Sequence, residues 1–162
     1  MGHALTEIPM PRDPRIPRRH TATGTPVTAP EGATNTNWRI GAHVPAAGGL
    51  ARASLPYIDA TGANVVQVYV SNPRGWALST GDPAQDEAFT AGCAERDVLT
   101  FIHASLLVNL ASPTEETVRR SAVTLDHALG RGAVIGARAV VFHAGNAVDA
   151  GQAPAAYRQL HD

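Results

Sequence analysis

The stretch Val140-Val-Phe-His-Ala-Gly-Asn146 decides the fold. Three apolar residues run into His143, and a small residue and a glycine follow. Leu99-Thr-Phe-Ile-His-Ala-Ser105 repeats the pattern and ends on His103. Arg39-Ile-Gly-Ala-His-Val-Pro45 repeats it again around His43. Each is a short strand-like run that delivers a histidine at or near its C-terminal end. That recurrence asks for an architecture in which strand C-termini converge.

Working outward, the segments between these runs read as helices. Residues Gly48–Gly62 form a helix with Leu50, Ser54 and Ile58 on one face, and Pro56 inside it should kink or divide it. Asn64–Val70 is a β-branched run and a strand. Ser71–Pro83 is a loop, Ala84–Asp97 a helix, and Ser105–Ser112 an apolar loop. The next helix starts with Ser112 as N-cap, Pro113 at its first position and Glu115 closing a capping box. Val118, Ala122, Leu125 and Leu129 are its expected buried stripe. Gly130 and Gly132 end or loosen it, unless Ala133–Gly136 continues it. Pro154–Asp162 begins a further helix.

The order is βαβαβαβ(α), an α/β pattern that implies a parallel sheet covered by helices. Ligands of such folds bind at the C-terminal ends of the strands. His43, Asn72, His103 and His143 all lie at or just beyond those ends. Four βα units in Arg39–Asp162 compare with the roughly 250 residues of a full eightfold barrel. The expectation is a partial TIM barrel, a half-barrel whose edges are the first and fourth strands. Its inner face would include Val66, Val68, Ile102 and Val141. Residues 1–38, rich in Pro, Thr, Gly and Arg, read as a disordered N-terminal extension, and 39–162 as the domain.

Composition narrows the chemistry. The net charge is −1, split as +2 over residues 1–39 and −3 over residues 40–162. All thirteen basic residues are arginine, so lysine-dependent phosphate loops and Schiff bases are excluded. The lone cysteine, Cys93, allows no disulfide within the chain, which fits a reducing cytoplasm. No apolar run approaches the ~18 residues of a membrane span, and no secretory signal is expected.

Two histidines on neighbouring strand ends can approach a shared metal, and neutral imidazole is a good zinc ligand. A catalytic zinc usually has a third protein ligand, and no acid ends a strand after His143. The loop Asn72-Pro-Arg-Gly-Trp76 pairs a cation with an aromatic ring, which can grip a phosphate and stack on a base or sugar.

Taken together, Ile40–Leu50, Val65–Trp76, Ile102–Pro113 and Val140–Asn146 resemble, in order and spacing, the N-terminal half of the endonuclease IV family. These are apurinic/apyrimidinic endonucleases on a xylose-isomerase-like TIM barrel. The resemblance implies a DNA-repair phosphodiesterase that cuts beside abasic sites with a cluster of three zinc ions. It implies His103 and His143 as ligands of one zinc, and His43 as a catalytic-pocket residue. It implies Asn72, Arg74, Trp76 and Leu106 as DNA contacts, and Asn109 and Leu110 as residues that shape the loop after the third strand. Leu106 stands where the family often has tyrosine, and Gly75 where some members carry a larger polar residue. The family's remaining zinc ligands come from later strands. The expected partners are therefore abasic-site DNA and either a complementary C-terminal half or a second copy as homodimer, with no membrane. The alternatives are a non-catalytic remnant and a sugar isomerase or epimerase of the related barrels; the Arg74-bearing loop favours the nuclease.

Overall fold

A computed structural model describes residues 38–161. The N-terminal extension, up to residue 37, lies outside the described residues. The elements are β1 (Gly41–His43), α1 (Leu50–Thr61), β2 (Val65–Val68), α2 (Pro83–Glu95), β3 (Leu99–His103), α3 (Glu115–Val134), β4 (Val140–Val141), a single 3-10 turn at Ala150–Gln152, and α4 (Ala153–His161). The strands form one parallel sheet in the order β1-β2-β3-β4. This is the α/β half-barrel arrangement expected from the sequence, with β1 and β4 as the edges.

The registers assign every strand residue to a face. Gly41 pairs with Val65, and Val65 with Leu99. His43 pairs with Gln67, Gln67 with Phe101, and His103 with Val141. Side chains alternate along a strand, so His43, Gln67, Phe101, His103 and Val141 share one face. Val66, Val68, Thr100 and Ile102 take the other. Val66, Val68 and Ile102 are wholly buried there in the core, together with Phe89, Ile58 and Ile135. Placing Val66, Val68 and Ile102 on the open inner face was therefore wrong; Val141 alone of that group belongs there. One position of offset exchanges the faces, and runs that are apolar at both parities do not reveal the offset.

α1 runs unbroken through Pro56 and ends at Gly62 in the left-handed conformation. Pro56 lies on the exposed side, so the Arg52 carbonyl that it leaves without a helical donor faces water. α2 is capped by Asp82, whose Oδ1 accepts from Ala84 N and Gln85 N. α3 departs from expectation twice. Its N-cap is Thr114, without a side-chain cap bond, while Ser112 Oγ accepts from Thr114 N. Its buried face holds Ser121, Thr124, Ala128, Arg131 and Gly132, whereas Leu129 and Ala122 are exposed. Polar residues take this face because partners satisfy them: Ser121 Oγ donates to Thr117 O at 2.7 Å, and Arg131 pairs with Asp86 at 2.7 Å. The helix passes through Gly130 and Gly132 to Val134.

Candidate functional site

Three loops rise from the C-terminal ends of β1 to β3, and the segment after β4 joins them. His43 is the last residue of β1 and His103 the last of β3; His143 lies two residues beyond β4. Shared parity brings their rings to the same side. The His103 and His143 ring centres are 5.4 Å apart, and those of His43 and His103 are 6.4 Å apart. Tyr69 stands between them, 4.3 Å from the His43 ring and 5.4 Å from the His103 ring. Sequence reading missed Tyr69, because it was absorbed into the apolar run of β2. Its parity with Gln67 was the available signal.

The local hydrogen bonds fix a tautomer. His103 Nδ1 lies 2.7 Å from Ala104 O. A carbonyl only accepts, so Nδ1 carries the proton, and in the neutral imidazole the Nε2 lone pair is left for a metal or an acid. Burial pushes the His43 pKa below its usual value. A backbone hydrogen bond at Val44 opposes that shift, and the neighbouring His103 adds to it. His43 is thus kept as a neutral imidazole near neutral pH.

The histidine pair fits two corners of a zinc site. With metal–nitrogen bonds of about 2.0–2.1 Å at a tetrahedral angle, two imidazole centres stand roughly 5 Å apart. Among the described residues, no group of three or more His, Cys, Asp or Glu is placed to hold a metal. The described residues therefore offer two nitrogens here and no third protein donor.

The DNA-contact residues inferred from sequence occupy one loop system beside the histidines. Asn72 Oδ1 accepts from Arg74 N at 2.9 Å, and Gly75 N donates to Asn72 O at 3.2 Å, which makes a tight turn. This turn is tied to the loop after β3, where Ser105 Oγ and Leu106 N both donate to Pro73 O. Arg74 is exposed, and Leu106 is 45% exposed. Trp76 is half-buried, with the Arg120 guanidinium 5.9 Å from its ring centre. Arg120 and Arg119 share Glu116, and these two contacts, Arg120 first, hold its carboxyl below the usual range. His127 Nε2 is 2.8 Å from Ser79 O, which anchors the far end of the loop to α3. A cleft of about 630 Å3 opens between the first two loops, lined by His43, Pro45, Tyr69, Asn72, Pro73 and Ser79.

Known proteins with the same pattern were found in sequence and in structure. A protein of Streptomyces coelicolor named probable endonuclease 4 is 46% identical over 123 residues, covering 76% of this chain and 42% of that protein. Its namesake in Streptomyces avermitilis is 45% identical, with 76% and 40% covered. The crystal structure of endonuclease IV from Thermus thermophilus superposes with a TM-score of 0.54 at 28% identity, over 65% of this chain and 39% of that one. The matched residues belong to the endonuclease IV family. No protein-family model matches the chain. The chain spans about two-fifths of the length of these endonuclease IV relatives. Among the described residues, no helix is long and apolar enough to cross a membrane.

Proposed function

We propose that this chain supplies part of the site of a zinc-dependent phosphodiesterase of endonuclease IV type, acting at abasic sites in DNA. The observation that carries the reading is the His103–His143 pair, 5.4 Å apart on one face, with the His103 Nε2 lone pair left available. These two residues would hold one zinc ion, of the three in the family's cluster. Zinc in such a site lowers the pKa of bound water and neutralises charge on the phosphate. His43, kept neutral by burial, lines the same pocket and accepts or relays a proton. Arg74 faces the phosphate backbone from the tight turn that Asn72 holds. Trp76 and Leu106 flank the lesion, Trp76 seated against Arg120 as a ring of fixed orientation. Residues 39–162 act as the half-barrel domain, with residues 1–38 as an extension.

The remaining zinc donors come from outside the described residues, so activity needs a complement. Two-nitrogen sites bind weakly. We expect at most one zinc ion per chain after dialysis, abolished in the His103→Ala, His143→Ala double variant. We also expect no useful rate of cutting of an abasic-site duplex by the chain alone. Three tightly held zinc ions per chain, or metal-dependent cleavage by the chain alone that His143→Ala abolishes, would overturn the half-site reading.

Edge strands β1 and β4 favour a particular complement. Four parallel strands do not close a small barrel, whereas eight do. Val141 and Phe142 at the β4 edge are each 43% exposed, and Ile40 at the β1 edge is 72% exposed. Pairing with a second copy or a separate C-terminal half would cover both edges. Sedimentation at micromolar concentration should show association. A monodisperse monomer with strongly protected β1 and β4 amides would refute it.

A further inference from the structure

One side chain, Asn109, joins the two histidine-bearing loops. It leaves the loop after β3 and reaches the segment that follows His143. Its Oδ1 accepts from Asn146 N at 3.0 Å and from Ala111 N at 3.1 Å, and its Nδ2 donates to Asn146 O at 3.0 Å. One residue on, Leu110 N donates to Ala144 O at 2.9 Å. Asn109 is itself held from behind. Its backbone N donates at 2.9 Å to Ser121 Oγ, and Ser121 is wholly buried on α3. Gly145 lies at the crossing point with φ 108°, where any Cβ would strike the Asn109 amide. Only glycine meets both the conformation and the close approach there.

This clamp acts where regular pairing stops. β4 ends at Val141, and the last ladder bond beyond it runs from Ala104 N to Val141 O. His143 is two residues past that bond and belongs to no strand. Before it, Val141 is tied to the β3 end; after it, Ala144 and Asn146 are tied to Leu110 and Asn109. Both tethers lead to the segment that carries His103. A ring set on such a bracket has little freedom to swing away from its neighbour.

We propose that Asn109 is a positioning residue that fixes the His143 ring against the His103 ring. Its functional meaning rests on reading those histidines as a zinc pair, but the geometry does not. Outer groups that orient metal-binding imidazoles commonly change metal affinity by about 10–100-fold when removed. Here the orienting group acts on the backbone that carries the ring rather than on the ring nitrogen.

The test uses the full chain, first without metal. Proton–proton Overhauser contacts between the His103 and His143 rings are measured in the wild type, in Asn109→Ala and in Asn109→Asp. The contact between His43 and Tyr69 serves as the internal reference. Asn109→Ala should abolish the His103–His143 contact and leave the reference unchanged. Asn109→Asp keeps the Oδ1 acceptor but turns a lone pair toward Asn146 O, so it should weaken the contact. Phe89→Ala, which only removes core volume, should leave both contacts in place. A folded Asn109→Ala chain with an undiminished His103–His143 contact overturns the proposal. If that variant does not fold, an undiminished contact in Asn109→Asp overturns it instead. Zinc titration is the second arm: Asn109→Ala should weaken zinc binding by roughly tenfold or more. A wild-type chain that shows the contact but binds no zinc would remove the zinc reading and leave the positioning role of Asn109 standing.

Discussion

Replacing Arg131 by methionine gives the sharpest test of how α3 is held to the rest of the domain. The Arg131 side chain is 10% exposed and its partner Asp86 is 6% exposed, and they meet at 2.7 Å between Nη2 and Oδ1. Arg131→Met fills the space without a charge and strands a buried carboxylate. Removing one partner of a buried pair costs about 3–5 kcal/mol, chiefly through the unpaired charge that remains. That is a large share of the roughly 5–15 kcal/mol that holds a domain together. Urea unfolding reads it directly: at an m value of about 2 kcal/mol/M, the midpoint should fall by roughly 1.5–2.5 M. The double variant Arg131→Met, Asp86→Leu strands no charge. Because Arg131 Nε is buried without a partner, the wild-type pair is incompletely satisfied, so the double variant should recover most of the loss. What remains is about 0.3–1 kcal/mol, for the acidic group lost from the first turn of α2. A single variant costing less than about 1 kcal/mol, or a double variant as unstable as the two singles summed, would refute this account.

Other outcomes follow from single contacts. Phe89→Ala empties a wholly buried site and should cost about 3–5 kcal/mol in the same urea assay. Asp82→Ala removes the N-cap of α2 and should cost about 1 kcal/mol. The His43 ring resonances should titrate with a midpoint below 6.5, because burial lowers its pKa. Between that midpoint and 6.5 the unfolded chain binds a proton that the folded chain refuses. Stability should therefore fall as pH drops through this window, with the loss complete below the folded value; a midpoint at or above 6.5 contradicts it. Burial raises the Cys93 thiol pKa, so a disulfide reagent should modify it slowly in the native chain and rapidly in urea.

The ends of β1 and β3 were legible in the sequence because each run stops on a histidine, and the parallel order follows from the alternation of strands and helices. The facing of β2 and β3 was not. Val65 and Val66 are both valine, so hydropathy carries no parity, and only the helices packed on one side break the tie. The buried face of α3 was misplaced for a related reason. Ser121 and Arg131 look like solvent residues until Asn109 and Asp86, on other elements, supply their partners. Tyr69 was hidden because an aromatic residue ending a β-branched run looks like core. The nearness of His43, His103 and His143 was legible, since each lies at or just past the C-terminal end of a strand. The role of Asn109 was not, since it depends on a segment 37 residues further along the chain.

The alternation along β2 and β3 separates two kinds of selective pressure residue by residue. At Val66, Val68, Thr100 and Ile102 a substitution is judged first by the folding of the molecule. Gln67, Phe101 and His103 face the other side, where a substitution leaves that helix-packed core untouched. A lineage can thus rewrite one set while the other stands still. New chemistry can be tried on every second residue without rebuilding the scaffold, and the scaffold can drift without disturbing the chemistry.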